Sequence, residues 1–158
     1  MIEESAGCVS EQFDPLDVEL LLEQFDIAWI AGAVPSIREF LPPCGPADQL
    51  VLEELIMIDL EYRWQQGRPL EADYPHEASG VAPNESSRGP LLEDYVRFFP
   101  ELGPAGGLSL ALICEEYWAR HRWGDPPEIK EYAQRFPLQG KPLFDALRRT
   151  DAELEELR

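Results

Sequence analysis

Histidines, cysteines and paired carboxylates are the residues of this sequence from which a reaction could be built. His76-Glu77 opens like the HExxH helix of a zinc protease, but Ala78, Ser79 and Gly80 follow, so the second histidine is missing. Cys114 and His121 stand seven residues apart. On a helix that spacing gives one face but two turns, beyond the hydrogen-bond reach a cysteine nucleophile needs of its base. Cys8, Cys44 and Cys114, at long irregular gaps, form neither a disulfide framework nor a CxxC metal pair. They read as reduced thiols of a cytoplasmic protein. Gly103-Pro104-Ala105-Gly106-Gly107 is glycine-rich, but no Gly-Lys-Ser/Thr follows it and no strand precedes it, so it reads as a linker. Glu53-Glu54, Glu115-Glu116 and Asp125 are material for general acid–base work. In a chain this acidic, they are expected on solvated helix faces. No catalytic, metal or cofactor site is expected.

The charge narrows the partners. Among 158 residues, 31 are acidic and 13 basic, a net of −18, and the only lysines are Lys130 and Lys141. Nucleic acids and anionic lipid surfaces require clustered Lys and Arg, so binding to either is not expected. Neither is membrane insertion, because no apolar run approaches the ~20 residues of a span. The acidic N-terminus, without an apolar core, does not read as a secretory signal.

The elements that must position these residues are helical. Asp14-Pro15 reads as a helix start, and Val18, Leu21, Leu22, Phe25, Ala28 and Trp29 follow at helical spacing to a stop at Gly32. Pro35 opens a short helix with Ile37, Phe40 and Leu41, and PPCGP at 42–46 is a turn. Pro46 starts the longest helix, running to about Gln66 with Val51, Leu55, Ile58 and Tyr62 on one stripe. Residues 69–89 read as an exposed insertion with too little apolar periodicity to offset the entropy of ordering. Leu110, Ile113, Tyr117 and His121 line the next helix, and Pro142 begins the last. The Thr150-Asp-Ala-Glu153 capping-box pattern predicts a fresh segment or a bend near Thr150. No stretch has the period-two alternation of a strand. The expected organisation is therefore all-α: an acidic tail at 1–13, a helical domain at 14–150, and the start of a linker helix or a frayed end at 151–158.

Internal repetition organises the chain. PLLEDYVRFFP at 90–100 returns as PEIKEYAQRFP at 127–137, and PSIREFLP from Pro35 is a fainter copy. Pro90, Tyr95, Phe99 and Pro100 correspond to Pro127, Tyr132, Phe136 and Pro137. The first proline fixes φ at a helix start and the last forbids continuation. Tyrosine and phenylalanine four apart share a face, where burying the pair stabilises by several kcal/mol at about 25 cal/mol per Å². Each copy follows a longer aromatic-bearing segment, so the predicted unit is a long helix, a turn and a short helix. Trp29, Trp64, Trp118 and Trp123 cannot share one stripe. Packing between units accounts for some of them. Arg63, Trp64, Trp118, Arg120, Arg122 and Trp123 are the candidates for a partner-contact patch, because arginine and tryptophan are enriched at binding hot spots.

LEYRW at 60–64, LLEDYVRFFPELG at 91–103 and EEYWARHRWGDPPEIKEYAQRFP at 115–137 together resemble the region N-terminal to the catalytic domain in serine/threonine protein kinases of planctomycete bacteria. The resemblance covers roughly residues 20–150. It departs in two places: Phe98 stands where the RFP triplet usually has arginine, and the insertion between Gly67 and Pro90 is long. The kinase signatures themselves are missing: no glycine-rich loop ending in valine, no VAIK lysine, no HRD and no DFG. The resemblance implies a non-catalytic accessory domain, regulatory or protein-binding, with a protein partner or a kinase domain of the same chain. It transfers no ligand and no catalytic residue. The alternatives are a structural spacer without a partner and a small acidic stand-alone enzyme.

Overall fold

The computed structural model describes residues 15–41, 48–70, 89–124 and 126–157. Among them are seven α-helices and no strand. They are α1 (Pro15–Ile30), α2 (Ile37–Phe40), α3 (Asp48–Gln66), α4 (Leu92–Phe98), α5 (Leu110–Trp123), α6 (Ile129–Arg135) and α7 (Gly140–Glu156). The chain divides into two compact units, Met1–Leu55 and Ile56–Arg158, with the division inside α3. The Asp14 cap, the 42–46 turn and Pro46 lie outside the described residues, as do His76-Glu77, Cys8, Cys44 and Asp125.

In the first unit, α1 ends where Gly32 takes φ 86°. Gly32 N–H donates to Trp29 O at 3.1 Å and Ala33 N–H to Ala28 O at 3.1 Å. That pair of bonds satisfies carbonyls the helix leaves open, and it needs the left-handed residue that glycine supplies without strain. Phe25 and Trp29 are buried on the inner face of α1. Phe25 meets Phe40 of α2 edge-to-face, with centroids 5.1 Å apart.

The second unit begins with the rest of α3, which closes in the same way. Gly67 has φ 66° and Arg68 N–H reaches Arg63 O at 2.8 Å. At the start of α4, Leu91 N–H donates to the Asp94 side chain at 2.9 Å, satisfying one of the open donors there. Ser109 caps α5 through Leu112 N–H at 3.3 Å. Both α5 and α6 pack on α7, and α4 packs on α5. Leu143, Ala146, Leu147, Thr150 and Leu154 form the buried stripe of α7, at helical spacings of three and four.

Three expectations are corrected. First, α7 runs unbroken through Thr150 to Glu156. The Thr150 hydroxyl donates back to Ala146 O at 3.0 Å instead of capping a new helix. Second, the 69–89 stretch is not exposed throughout: Pro69 is exposed, but Leu70 is fully buried and Gly89 is buried. The stretch between, 71–88, lies outside the described residues. Third, the glycine-rich linker at 103–107 contains a 3₁₀ turn, Ala105–Gly107, and follows another, Pro100–Leu102, with the flanking Leu102 and Leu108 buried.

Candidate functional site

The second unit is tied together by two buried carboxylates. Asp59 of α3 is fully buried. Its Oδ2 accepts from Arg63 Nε at 2.6 Å and from Tyr95 OH at 2.7 Å. Arg63 sits one turn further along the same helix, is also fully buried, and donates from Nη1 to Pro69 O at 3.1 Å. One carboxylate thus joins α3 to the tyrosine of α4.

Glu116 of α5 does the same with more partners. Its Oε1 accepts from Tyr132 OH at 2.5 Å and its Oε2 from Leu92 N–H at 2.7 Å, the first amide of α4. Arg135 grips both oxygens, with Nη2 to Oε2 at 3.0 Å and a shorter contact from Nη1 to Oε1. Arg135 also holds Glu93 of α4 through Nε at 2.9 Å and Nη2 at 2.5 Å. Helices α4, α5 and α6 therefore meet at one side chain. A buried charge is tolerated only when paired and hydrogen-bonded, and Glu116 is both. Burial alone would push the Arg135 guanidinium down, but Glu116 and then Glu93 more than offset it and hold it up. Burial pushes the Tyr132 phenol far above the usual tyrosine range, and the Glu116 charge adds to that.

Aromatic contacts surround this point. Tyr132 meets Tyr117 edge-to-face at 5.2 Å, and the Arg135 guanidinium lies 4.9 Å from the Tyr132 ring and 5.0 Å from that of Phe136. Tyr117 OH donates to Asp151 Oδ1 of α7 at 2.6 Å. Tyr95, Phe99, Tyr132 and Phe136 are all fully buried, Pro90 and Pro127 are buried, and Pro100 and Pro137 are exposed at the helix ends.

The candidate partner residues separate into two groups. Arg63, Trp64 and Arg120 are buried and are corrected from surface contacts to scaffold. Trp64 Nε1–H donates to Pro90 O at 2.9 Å. The backbones of Gly89 and Gly124 lie against its indole, so close that a Cβ on either would come within 2.5 Å of a ring carbon. Arg120 Nη1 donates to Glu131 Oε2 at 2.9 Å, and its guanidinium lies 6.0 Å from the Tyr132 ring. The second group stays at the surface: Trp118 and Trp123 are half-buried and Arg122 is exposed. The two indoles meet edge-to-face at 5.4 Å. The Arg122 guanidinium is 5.3 Å from Trp118 and 5.6 Å from Trp123.

Cys114 and His121 have separate surroundings. Cys114 is half-buried in a cleft of about 250 Å³ that includes Glu61, Glu115 and Trp118. Burial pushes its thiol up, against a smaller pull from the Thr150 side chain. A raised thiol is the opposite of nucleophile activation. His121 Nε2 lies 3.1 Å from Pro127 O, and its ring is 4.4 Å from that of Tyr117. Glu53 is half-buried and Glu54 exposed, as solvated faces require. Among the described residues, no group of three or more His, Cys, Asp and Glu could hold a metal ion.

Sequence reasoning missed Glu116, placing it on a solvated face. A signal was present. Asp59 and Arg63 are four apart, as are Glu116 and Arg120, each pair on the helix that precedes a tyrosine motif. The Phe98 departure also gains a reason. Phe98 occupies the position corresponding to Arg135, and Asp59 takes its arginine from its own helix instead. In comparisons with family models, with curated proteins and with solved structures, the chain matches none.

Proposed function

We propose that this chain is a non-catalytic helical domain that binds a protein partner or regulates one, of the kind found N-terminal to a bacterial serine/threonine kinase catalytic domain. The observation that carries the reading is the Trp118–Arg122–Trp123 cluster. Buried tryptophans in this fold brace the scaffold, whereas these two hold a guanidinium between them at the surface. Aromatic and arginine side chains of that sort form the energetic centre of protein interfaces. The buried acids support the non-catalytic half of the reading. Glu116 is surrounded by donors and fully buried, so it has no free lone pair or path to offer a substrate. A kinase domain in the same chain and a cytoplasmic setting belong to the same proposal, as does a bacterial source of planctomycete type. Among the described residues no helix is long and apolar enough to cross a membrane.

The test is cross-linking capture in the native host, comparing wild type with Trp118→Ala, Arg122→Ala and Trp123→Ala. Loss of one captured protein in all three variants, at unchanged helicity, supports the proposal. Capture identical in all forms removes this patch as the contact. If deleting the whole domain also leaves kinase output and partner choice unchanged, the chain is a spacer.

A further inference from the structure

Charge is unevenly placed along this chain. Residues 129–149, which make up α6 and most of α7, carry five basic side chains (Lys130, Arg135, Lys141, Arg148, Arg149) against two acidic ones, Glu131 and Asp145. Arg135 is taken up by Glu116 and Glu93, and the acids of α7 gather in its last turns at Asp151, Glu153, Glu155 and Glu156. Helix α1 carries four acids, Asp17, Glu19, Glu23 and Asp26, and no base. The basic region frames a groove of about 170 Å³ between α6 and α7, lined by Ile129, Ala133, Phe136, Leu143, Phe144 and Leu147. Lys130 is three residues from Ala133, and Lys141 three from Phe144, so each shares a helix face with a lining residue. The Arg148 guanidinium lies 5.6 Å from the Phe144 ring. Lys130, Lys141 and Arg148 are all exposed.

Apolar exposure is uneven in the same way. Seven large hydrophobic side chains are exposed among the described residues. Three lie on α1, Leu20 at 53%, Ile27 at 54% and Ile30 at 69%. Two more, Leu138 at 85% and Phe144 at 45%, are within the α6–α7 segment. Leu20 and Ile27 are seven apart, hence on one face, with Glu23 between them and Ile30 continuing the line. Helix α1 therefore has an acidic apolar face turned to solvent, and α6–α7 a basic-rimmed apolar groove. The groove is comparable with the cavity of about 150 Å³ that takes a benzene-sized guest, which suits one branched aliphatic side chain.

We propose that this groove receives the outward face of α1 from a second copy of the chain, with Ile27 as the inserted side chain and Glu23 meeting the lysine rim. The contact joins two different surfaces, so it is head-to-tail and produces a ring or an open chain of copies rather than a two-fold dimer. The overall charge of −18 opposes association, but at physiological ionic strength charges beyond about 8 Å are largely screened while the rim pairs act at contact.

Sedimentation of the full chain, from micromolar to about 1 mM at physiological salt, tests this. The average mass is expected to rise above 18.0 kDa with concentration. Ile27→Glu and Phe144→Glu, both at exposed positions, each return it to the monomer. Glu23→Lys and Lys130→Glu each weaken association by at least about tenfold. The double variant Glu23→Lys/Lys130→Glu restores it. Circular dichroism checks that all variants remain helical, and Trp118→Ala leaves association unchanged, which separates this surface from the partner patch. A monomer at every concentration overturns the proposal. So does association that survives Ile27→Glu, or a monomer whose groove binds a peptide of residues 15–30, because the occupant would then not be a second copy.

Discussion

Tyr132 donates its phenolic hydrogen bond to Glu116 at 2.5 Å, and Tyr95 makes the corresponding bond to Asp59 at 2.7 Å. Each bond joins a short helix to the long helix before it. Hydrogen bonds to charged groups contribute about 1.5–3 kcal/mol. Tyr95→Phe and Tyr132→Phe should each lower unfolding free energy by that amount in urea titration. The two carboxylates are separate, so the double variant should lose about the sum, within about 0.5 kcal/mol.

Glu116→Ala should be far worse than either. It takes the buried partner from Arg135, leaving that side chain only the half-exposed Glu93, and leaves Leu92 N–H and Tyr132 OH without their acceptor. Breaking a buried pair by removing one partner costs about 3–5 kcal/mol. Glu116→Gln keeps one acceptor oxygen, enough for Leu92 N–H or Tyr132 OH but not for both, and loses the charge, so its cost should fall between that of Tyr132→Phe and Glu116→Ala. Chemical denaturation of the three variants gives the order.

Stability should decline in alkali. Tyr132 is held protonated by burial and then by Glu116, and Tyr117 by burial and then by Asp151. In the unfolded chain both ionise near pH ~10. Their contribution is fully present below that pH and is lost above it, because only the unfolded state can release the proton. The limiting slope is about 1.4 kcal/mol per pH unit for each tyrosine. Tyr132→Phe should be less stable at neutral pH and show a shallower alkaline decline, read from melting temperature against pH.

Gly89→Ala and Gly124→Ala should each destabilise through Trp64, by about 1–3 kcal/mol as overpacked sites do. Neither glycine has a positive φ, so the cause is the 2.5 Å approach of a Cβ to the indole and not the backbone. Gly32→Ala is the contrast: its Cβ would meet nothing, and its cost comes from φ 86° alone. Trp64 fluorescence should change in the first two variants only.

Truncation should separate the two classes of tryptophan. Trp64→Ala removes a buried ring and its bond to Pro90 O, for about 3–5 kcal/mol. Trp118→Ala and Trp123→Ala remove half-buried rings and a cation–π contact, for about 1 kcal/mol each. Equal losses in denaturant would show that the surface pair also braces the fold.

Sequence periodicity located the helices, though not the continuity of α7 through Thr150, because spacings of three and four, prolines at helix starts and glycines at their ends act within a few residues. Gly32 and Gly67 stop helices by a local backbone conformation that the residue type announces. The tyrosine–phenylalanine pairs were legible for the same reason: four residues is one turn. What acts across the chain was not. Glu115 and Glu116 are identical neighbours in sequence, yet only Glu116 points to where Leu92 N–H, Tyr132 and Arg135 converge from 24, 16 and 19 residues away. Trp64 and Trp118 likewise look alike until Gly89, Pro90 and Gly124 close over one of them and leave the other at the surface. A side chain's type sets what it can bond; whether it is buried with a partner depends on which distant segments pack against it, and that only the tertiary structure decided.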